Sequence, residues 1–168
     1  MQGRFETVAR EAFDDGWGAE DEAPGTLQTT VTEERARSII QRNDSPDLPF
    51  ELSINPYRGC EHGCIYCYAR PSHAYLELSP GLDFESKLFA KVNAVELLRD
   101  ELSRRGYLPS PIALGANTDC YQPIERRYRI TRGLIELLAQ CRHPLTIVTK
   151  SALVERDLDL LGPMGRSN

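Results

Sequence analysis

At 168 residues the chain is long enough for one domain with a core of its own, and its formal net charge is −5. Residues 1–50 hold five Lys/Arg against eleven Asp/Glu and the remainder fifteen against fourteen, so no broad basic surface marks a dedicated duplex-DNA binder, and charge leaves a nucleic-acid partner only a local basic groove. No apolar run reaches membrane-spanning length, no signal-peptide pattern opens the chain, and five cysteines, an odd number, do not make a disulfide framework; the expected setting is a reducing cytoplasm, with no membrane partner.

Residues 1–30 are polar, acidic and aperiodic around Phe5, Phe13 and Trp17, which predicts a flexible arm with Trp17 either solvated or docked on the body. Residues 31–40 fit a short helix or a strand, because periodicity does not decide. Asn43-Asp44-Ser45-Pro46-Asp47-Leu48-Pro49 is turn chemistry and sets the expected boundary, an acidic arm over 1–44 and a folded domain over 45–168. Phe50-Glu51-Leu52-Ser53-Ile54 alternates as a strand does, and Pro56 ends it. Residues 71–86 are irregular, with a turn at Pro80-Gly81, and 87–92 fit a short strand or a helical start.

The spacing predicts a helix over 93–105. Asn93 would cap it with Glu96 in a capping box, Val95, Leu98 and Leu102 would share its apolar face, and Gly106 would stop it. Ile112-Ala113-Leu114-Gly115-Ala116 predicts a buried strand leading into Asn117-Thr118-Asp119. Thr131 would open a helix through Leu134, Ile135, Leu137 and Leu138, closed by His143-Pro144. Leu145-Thr146-Ile147-Val148-Thr149 predicts a further strand, and Ser151 would cap a last helix that Gly162-Pro163 ends. Strand followed by helix, three times over, means an α/β fold with a parallel sheet.

Cys60-Glu61-His62-Gly63-Cys64-Ile65-Tyr66-Cys67 packs three of the five cysteines into eight residues. Thiolates at this spacing suit a soft metal centre, an iron–sulfur cluster or zinc. Three ligands fall one short of a closed structural zinc site, which would need His62 or His73 as its fourth; His62 is not assigned as a ligand. A cluster held by three cysteines keeps one iron open.

The CxxxCxxC run with Tyr66 before its last cysteine resembles the hallmark of the radical SAM superfamily. Asn55-Pro56-Tyr57-Arg58-Gly59-Cys60 before it, and Thr118-Asp119-Cys120-Tyr121-Gln122-Pro123-Ile124-Glu125 after it, look like the spore photoproduct lyase-like branch. The resemblance runs from about Ser45 to Leu161. It implies a partial parallel (β/α) barrel, of which this chain supplies the N-terminal part, truncated to about three βα units. It also implies a four-iron ([4Fe–4S]) cluster on Cys60, Cys64 and Cys67, and S-adenosylmethionine contacted by Tyr66, Thr118, Asp119 and Lys150. A low-potential electron donor of flavodoxin or ferredoxin type would reduce the cluster, and a 5′-deoxyadenosyl radical would abstract hydrogen from a substrate the sequence does not name. Gly59 and Gly63 would let backbone N–H groups approach the cluster sulfides.

Plainer readings stand beside these. Thr118 and Asp119 suit a turn at a strand exit, and Lys150 a surface strand end. Glu125-Arg126-Arg127-Tyr128-Arg129 suits a solvated loop face more than a polyanion contact. Photoproduct lyases carry a hydrogen-donor cysteine just before the Thr-Asp pair; here Ala116 and Asn117 occupy that place, and Cys120 is not its equivalent. Cys141 is expected to be a buried core thiol. The alternatives to an enzyme are a truncated, non-catalytic iron–sulfur protein and a zinc-bound interaction module.

Overall fold

The computed structural model describes residues 28–166. Most of the expected arm, Trp17 included, lies outside the described residues. Strand β1 (Thr30–Glu34) and strand β2 (Ile40–Arg42) settle the ambiguity over 31–40 in favour of extended backbone, which the β-branched Thr30, Val31 and Thr32 prefer. Both strands precede the turn at 43–49, yet each is hydrogen-bonded into a sheet.

The remaining elements are β3 (Leu52–Ile54), β4 (Tyr57–Arg58), α1 (Leu82–Ser86), β5 (Lys87–Lys91), α2 (Ala94–Leu102) and β6 (Ile112–Leu114). After them come α3 (Glu125–Tyr128), α4 (Ile130–Gln140), β7 (Leu145–Ile147) and α5 (Leu158–Arg166), with 3₁₀ helices at Arg70–Leu76 and Ala152–Asp157. One sheet has the order β2-β3-β6-β7, with β3, β6 and β7 parallel and β2 antiparallel at its edge. The other has the order β1-β5-β4, with β1 parallel and β4 antiparallel to β5. The fold is therefore mixed α/β with two mixed sheets. The expected succession of strand and helix holds for β3, β6 and β7; β5 belongs to the second sheet instead.

The chain crosses from one sheet to the other at Asn55-Pro56, where Lys91 N–H donates to the Pro56 carbonyl (3.0 Å). Strands β3 and β6 are buried along their whole length, as central parallel strands are. Helices α2 and α4 pack Leu98, Leu134 and Leu138 onto Ile54, Ile112 and Leu114, all fully buried. Each such side chain contributes about 1.5–3 kcal/mol relative to exposure. Among the described residues no helix is long and apolar enough to cross a membrane.

Several expectations give way to long-range contacts. Asn93 precedes α2 but makes no side-chain cap; its amide exchanges two hydrogen bonds with the Ala36 backbone, both 2.9 Å. Thr131 lies inside α4 rather than opening it, because the buried Glu125 carboxylate accepts from Thr131 N–H (2.9 Å) and Arg132 N–H (3.2 Å), the unpaired donors of that first turn. The segment beginning at Glu125 is thus a short helix with one inward carboxylate, not a solvated loop face; Arg126 and Arg127 do face solvent. The 71–86 stretch contains the first 3₁₀ helix and α1. Ser151 does cap, accepting from Leu153 N–H at 3.3 Å, but the helix after it continues through Gly162 and Pro163 to Arg166. Leu160, Leu161 and Met164 pack against the core, and that burial offsets the proline's preference for ending a helix. Cys141 is exposed, not buried: α4 ends at Gln140, and Arg142 turns the chain with φ 50 before the thiol reaches the core.

Candidate metal centre

The cysteine loop leaves β4 and is tied down by the residues after β6. Thr118 Oγ1 donates to the Tyr57 carbonyl (2.8 Å), and Asn55 Oδ1 accepts from Asn117 N–H (2.8 Å). Gln122, fully buried, donates through Nε2 to the Gly59 carbonyl (3.0 Å) and accepts from Glu61 N–H (3.3 Å). The Tyr57 hydroxyl donates to the Glu125 carboxylate. The two sequence words on either side of the loop are therefore partners in one hydrogen-bond network, which ties the start of the cysteine loop to the segment after β6.

Glycines play a packing role here. Gly59 has φ +73, and a Cβ there would lie 2.7 Å from Leu88 Cδ2 and 2.8 Å from the Phe84 carbonyl. The core behind the loop by itself therefore requires glycine at this position. Gly63 has φ +60 with no atom closer than 3.8 Å to a built Cβ, so backbone conformation alone favours glycine there.

A cavity of about 350 Å³ opens between this loop and the exits of β6 and β7. Cys60, Cys64, Cys67, Tyr66, Thr118, Asp119 and Lys150, every residue the sequence nominates for metal or cofactor, line it. Cys60 is buried, Cys64 and Cys67 half-buried. Burial pushes the Cys60 thiol up to about 11, against the hydrogen bonds from the His62 and Asp119 backbone N–H groups. Lys150 Nζ lies 2.9 Å from Cys64 Sγ, and this hydrogen bond raises the ammonium's pKa. Arg70 donates to the Cys64 carbonyl (3.2 Å) and pairs with Glu85, so a second cation lies under the loop.

Asp119 serves as a turn residue and a brace at once. It accepts from Tyr121 N–H (2.8 Å), Thr149 Oγ1 (2.7 Å) and Lys150 N–H (3.0 Å), joining the exits of β6 and β7. Tyr66 stands on the cavity wall with 88% of its surface exposed. His62 also lines the cavity; its Nε2 is 3.3 Å from Asp119 Oδ2, yet it is buried with no hydrogen bond. His73 is outside it, donating to or accepting from nothing in the cavity and packed edge-on against Phe84 with its Nε2 on the Lys87 carbonyl (2.9 Å). Cys120 is fully buried, and desolvation raises its pKa strongly.

An uncharacterized protein of Mycobacterium tuberculosis H37Rv is 47% identical to this chain over 114 residues, which are 68% of the chain and 34% of that protein. An uncharacterized protein of Mycobacterium bovis matches to the same extent. One from Methanocaldococcus jannaschii is 33% identical over 107 residues, 64% of this chain and 38% of its own length. The chain thus spans about a third of the length of the curated relatives it matches. No family model matches it, and no solved structure does.

Whether these residues suit a soft metal centre rests on their own chemistry. Among the described residues no three His, Cys, Asp or Glu side chains converge as a metal cage. The donor set nevertheless fits: three thiols on one short loop share a cavity wall with Lys150, and the Arg70–Glu85 pair lies under that loop. Gln122, Asn55, Glu125 and Arg70 were not legible as site residues. Gln122 and Glu125 lay within the motif after β6, but only their distant partners reveal what they hold.

Proposed function

We propose that the chain is the N-terminal part of a radical SAM core domain of the spore photoproduct lyase-like branch, with its parallel strands forming part of a (β/α) barrel. The observation that supports this best is co-location: seven residues nominated from three separate segments line one cavity. Cys60, Cys64 and Cys67 would hold a [4Fe–4S] cluster, and Tyr66, Thr118, Asp119 and Lys150 would face S-adenosylmethionine. Such a cluster, reduced by a flavodoxin- or ferredoxin-type donor, would supply the electron for reductive cleavage of this cofactor, the radical chemistry that would take hydrogen from a substrate.

The chain's own residues bind and orient. Lys150 offers a point charge to the cofactor carboxylate. Asp119 fixes the Lys150 backbone and presents a carboxylate to the cofactor ammonium. Thr118 gives its proton to Tyr57, so its oxygen faces the cavity as an acceptor. Tyr66, on the cavity wall, would offer the cofactor a stacking face.

The test is electron paramagnetic resonance on anaerobically reconstituted, dithionite-reduced protein, with and without S-adenosylmethionine. A cluster signal that changes on adding the cofactor supports the enzyme. A cluster signal indifferent to it supports the non-catalytic iron–sulfur protein. The buried, unbonded Nε2 of His62 in the same cavity favours a second reading, zinc on three thiols and one imidazole. That protein would be colourless, with zinc at one equivalent by elemental analysis.

A further inference from the structure

A second cavity of about 230 Å³ adjoins the first, and Asn117 lines both. Lys91, Arg58, Gln41 and Tyr75 are among its other walls. We infer that this second cavity binds a carboxylate group of the substrate, with the Lys91 ammonium as its counter-charge. The word substrate rests on the function proposed above; the anion site itself does not.

Lys91 carries the inference. It is 5% exposed, and its Nζ donates to the Asn55 carbonyl at 2.8 Å. An ammonium has three donors, and among the described residues no carboxylate pairs with this one. Burying an unpaired charge is costly, so a methionine would serve this strand position better if packing were its only purpose. Burial lowers the lysine to about 8, Arg58 acts in the same direction and Glu34 against it. An anion in the cavity would reverse that depression and supply the missing partner.

Charge selects the kind of anion. Arg58 is already paired with Glu34 at 2.9 Å, which leaves a single uncompensated positive charge on the wall. A monoanion such as a carboxylate matches that one charge, whereas a phosphate dianion would leave a surplus. The side-chain amides of Asn117 and Gln41 make no hydrogen bond among the described residues and offer neutral donors beside the ammonium. Asn117 borders both cavities, which places this anion site beside the one at the cysteine loop.

The chain has three lysines, Lys87, Lys91 and Lys150, so a 13Cε-lysine-labelled sample gives three resonances, which Lys91→Met and Lys150→Met together assign. Acetate is the probe, titrated against chloride at equal ionic strength and, separately, against inorganic phosphate. The expected result is a saturable acetate shift of the Lys91 resonance, with its titration midpoint moved up by about one pH unit, a tenfold preference for the protonated form. Arg58→Gln, which leaves Glu34 unpaired, keeps the Lys91 resonance and is expected to weaken acetate about tenfold. Equal movement in chloride and acetate overturns the site. Saturation by phosphate at lower concentration overturns the choice of carboxylate, and a shift at Lys150 in place of Lys91 moves the anion to the cysteine cavity and overturns it too. The titration reads Lys91 with or without iron, so an intact acetate effect with no cluster signal sinks the cluster alone.

Discussion

Replacing Gln122 with alanine isolates what holds the cysteine loop. Two backbone groups lose their partner, the Gly59 carbonyl and the Glu61 N–H. A buried polar group left unpaired costs about 1–3 kcal/mol. Glu61 is half-buried and recovers part of its share from water, so the sum is about 2–4 kcal/mol. For a chain of 168 residues this lowers the melting temperature by roughly 5–15 °C. Circular dichroism melts measure the loss, and iron retained after anaerobic reconstitution measures whether the loop still presents its thiols. Gln122→Glu keeps an acceptor for Glu61 N–H but sets a carboxylate against the Gly59 carbonyl, and at neutral pH should be no more stable than the alanine variant. If Gln122→Ala melts within about 1 °C of the parent and retains iron equally, the loop is fixed by something other than this bridge.

Gly59→Ala should cost about 2–4 kcal/mol from its left-handed backbone and its clash with Leu88 and the Phe84 carbonyl, and Gly63→Ala only about 1 kcal/mol; equal urea midpoints would refute the packing argument. Burial works against ionisation of Asp157, but hydrogen bonds from Arg156, Arg132 and Tyr121 win and depress its pKa. A depressed carboxyl contributes stability that is present above its unfolded pKa and lost as pH falls through the folded one. Asp157→Asn should therefore flatten the loss of stability below about pH 4, seen as a smaller difference between acid and neutral melts. Iodoacetamide under native conditions should alkylate Cys141 at least about 100-fold faster than the fully buried Cys120, as peptide mass spectrometry would show; comparable rates would contradict the burial of Cys120.

The parallel strands were legible because residues 50–54 alternate apolar and polar up to Pro56 and residues 112–116 are a short apolar run, and the thiol loop because its spacing is rare. What escaped were pairings over long sequence distances. Nothing near Asn93 says that its amide prefers Ala36 to the helix it precedes. Glu125 looks like one charge in a charged stretch until Tyr57, Thr131 and Arg156 converge on it. Cys141 keeps the helical spacing of Leu134 and Leu138, but the helix stops one residue short of it. Lys91 has the alternating neighbours of a strand, and no local pattern marks its ammonium as enclosed.

The link between β1 and β2 borrows its order from α2. Ala36 exchanges both backbone hydrogen bonds with Asn93, and the buried Glu101 carboxylate accepts from Ile39 N–H (2.8 Å) and Ile40 N–H (3.1 Å). Amide hydrogens at Ala36, Ile39 and Ile40 should then exchange with solvent at the pace of α2, not at the pace of a surface connection. Since β1 pairs in one sheet and β2 in the other, opening of α2 would release an edge strand from each, which makes that helix the latch of a cooperative unit spanning both.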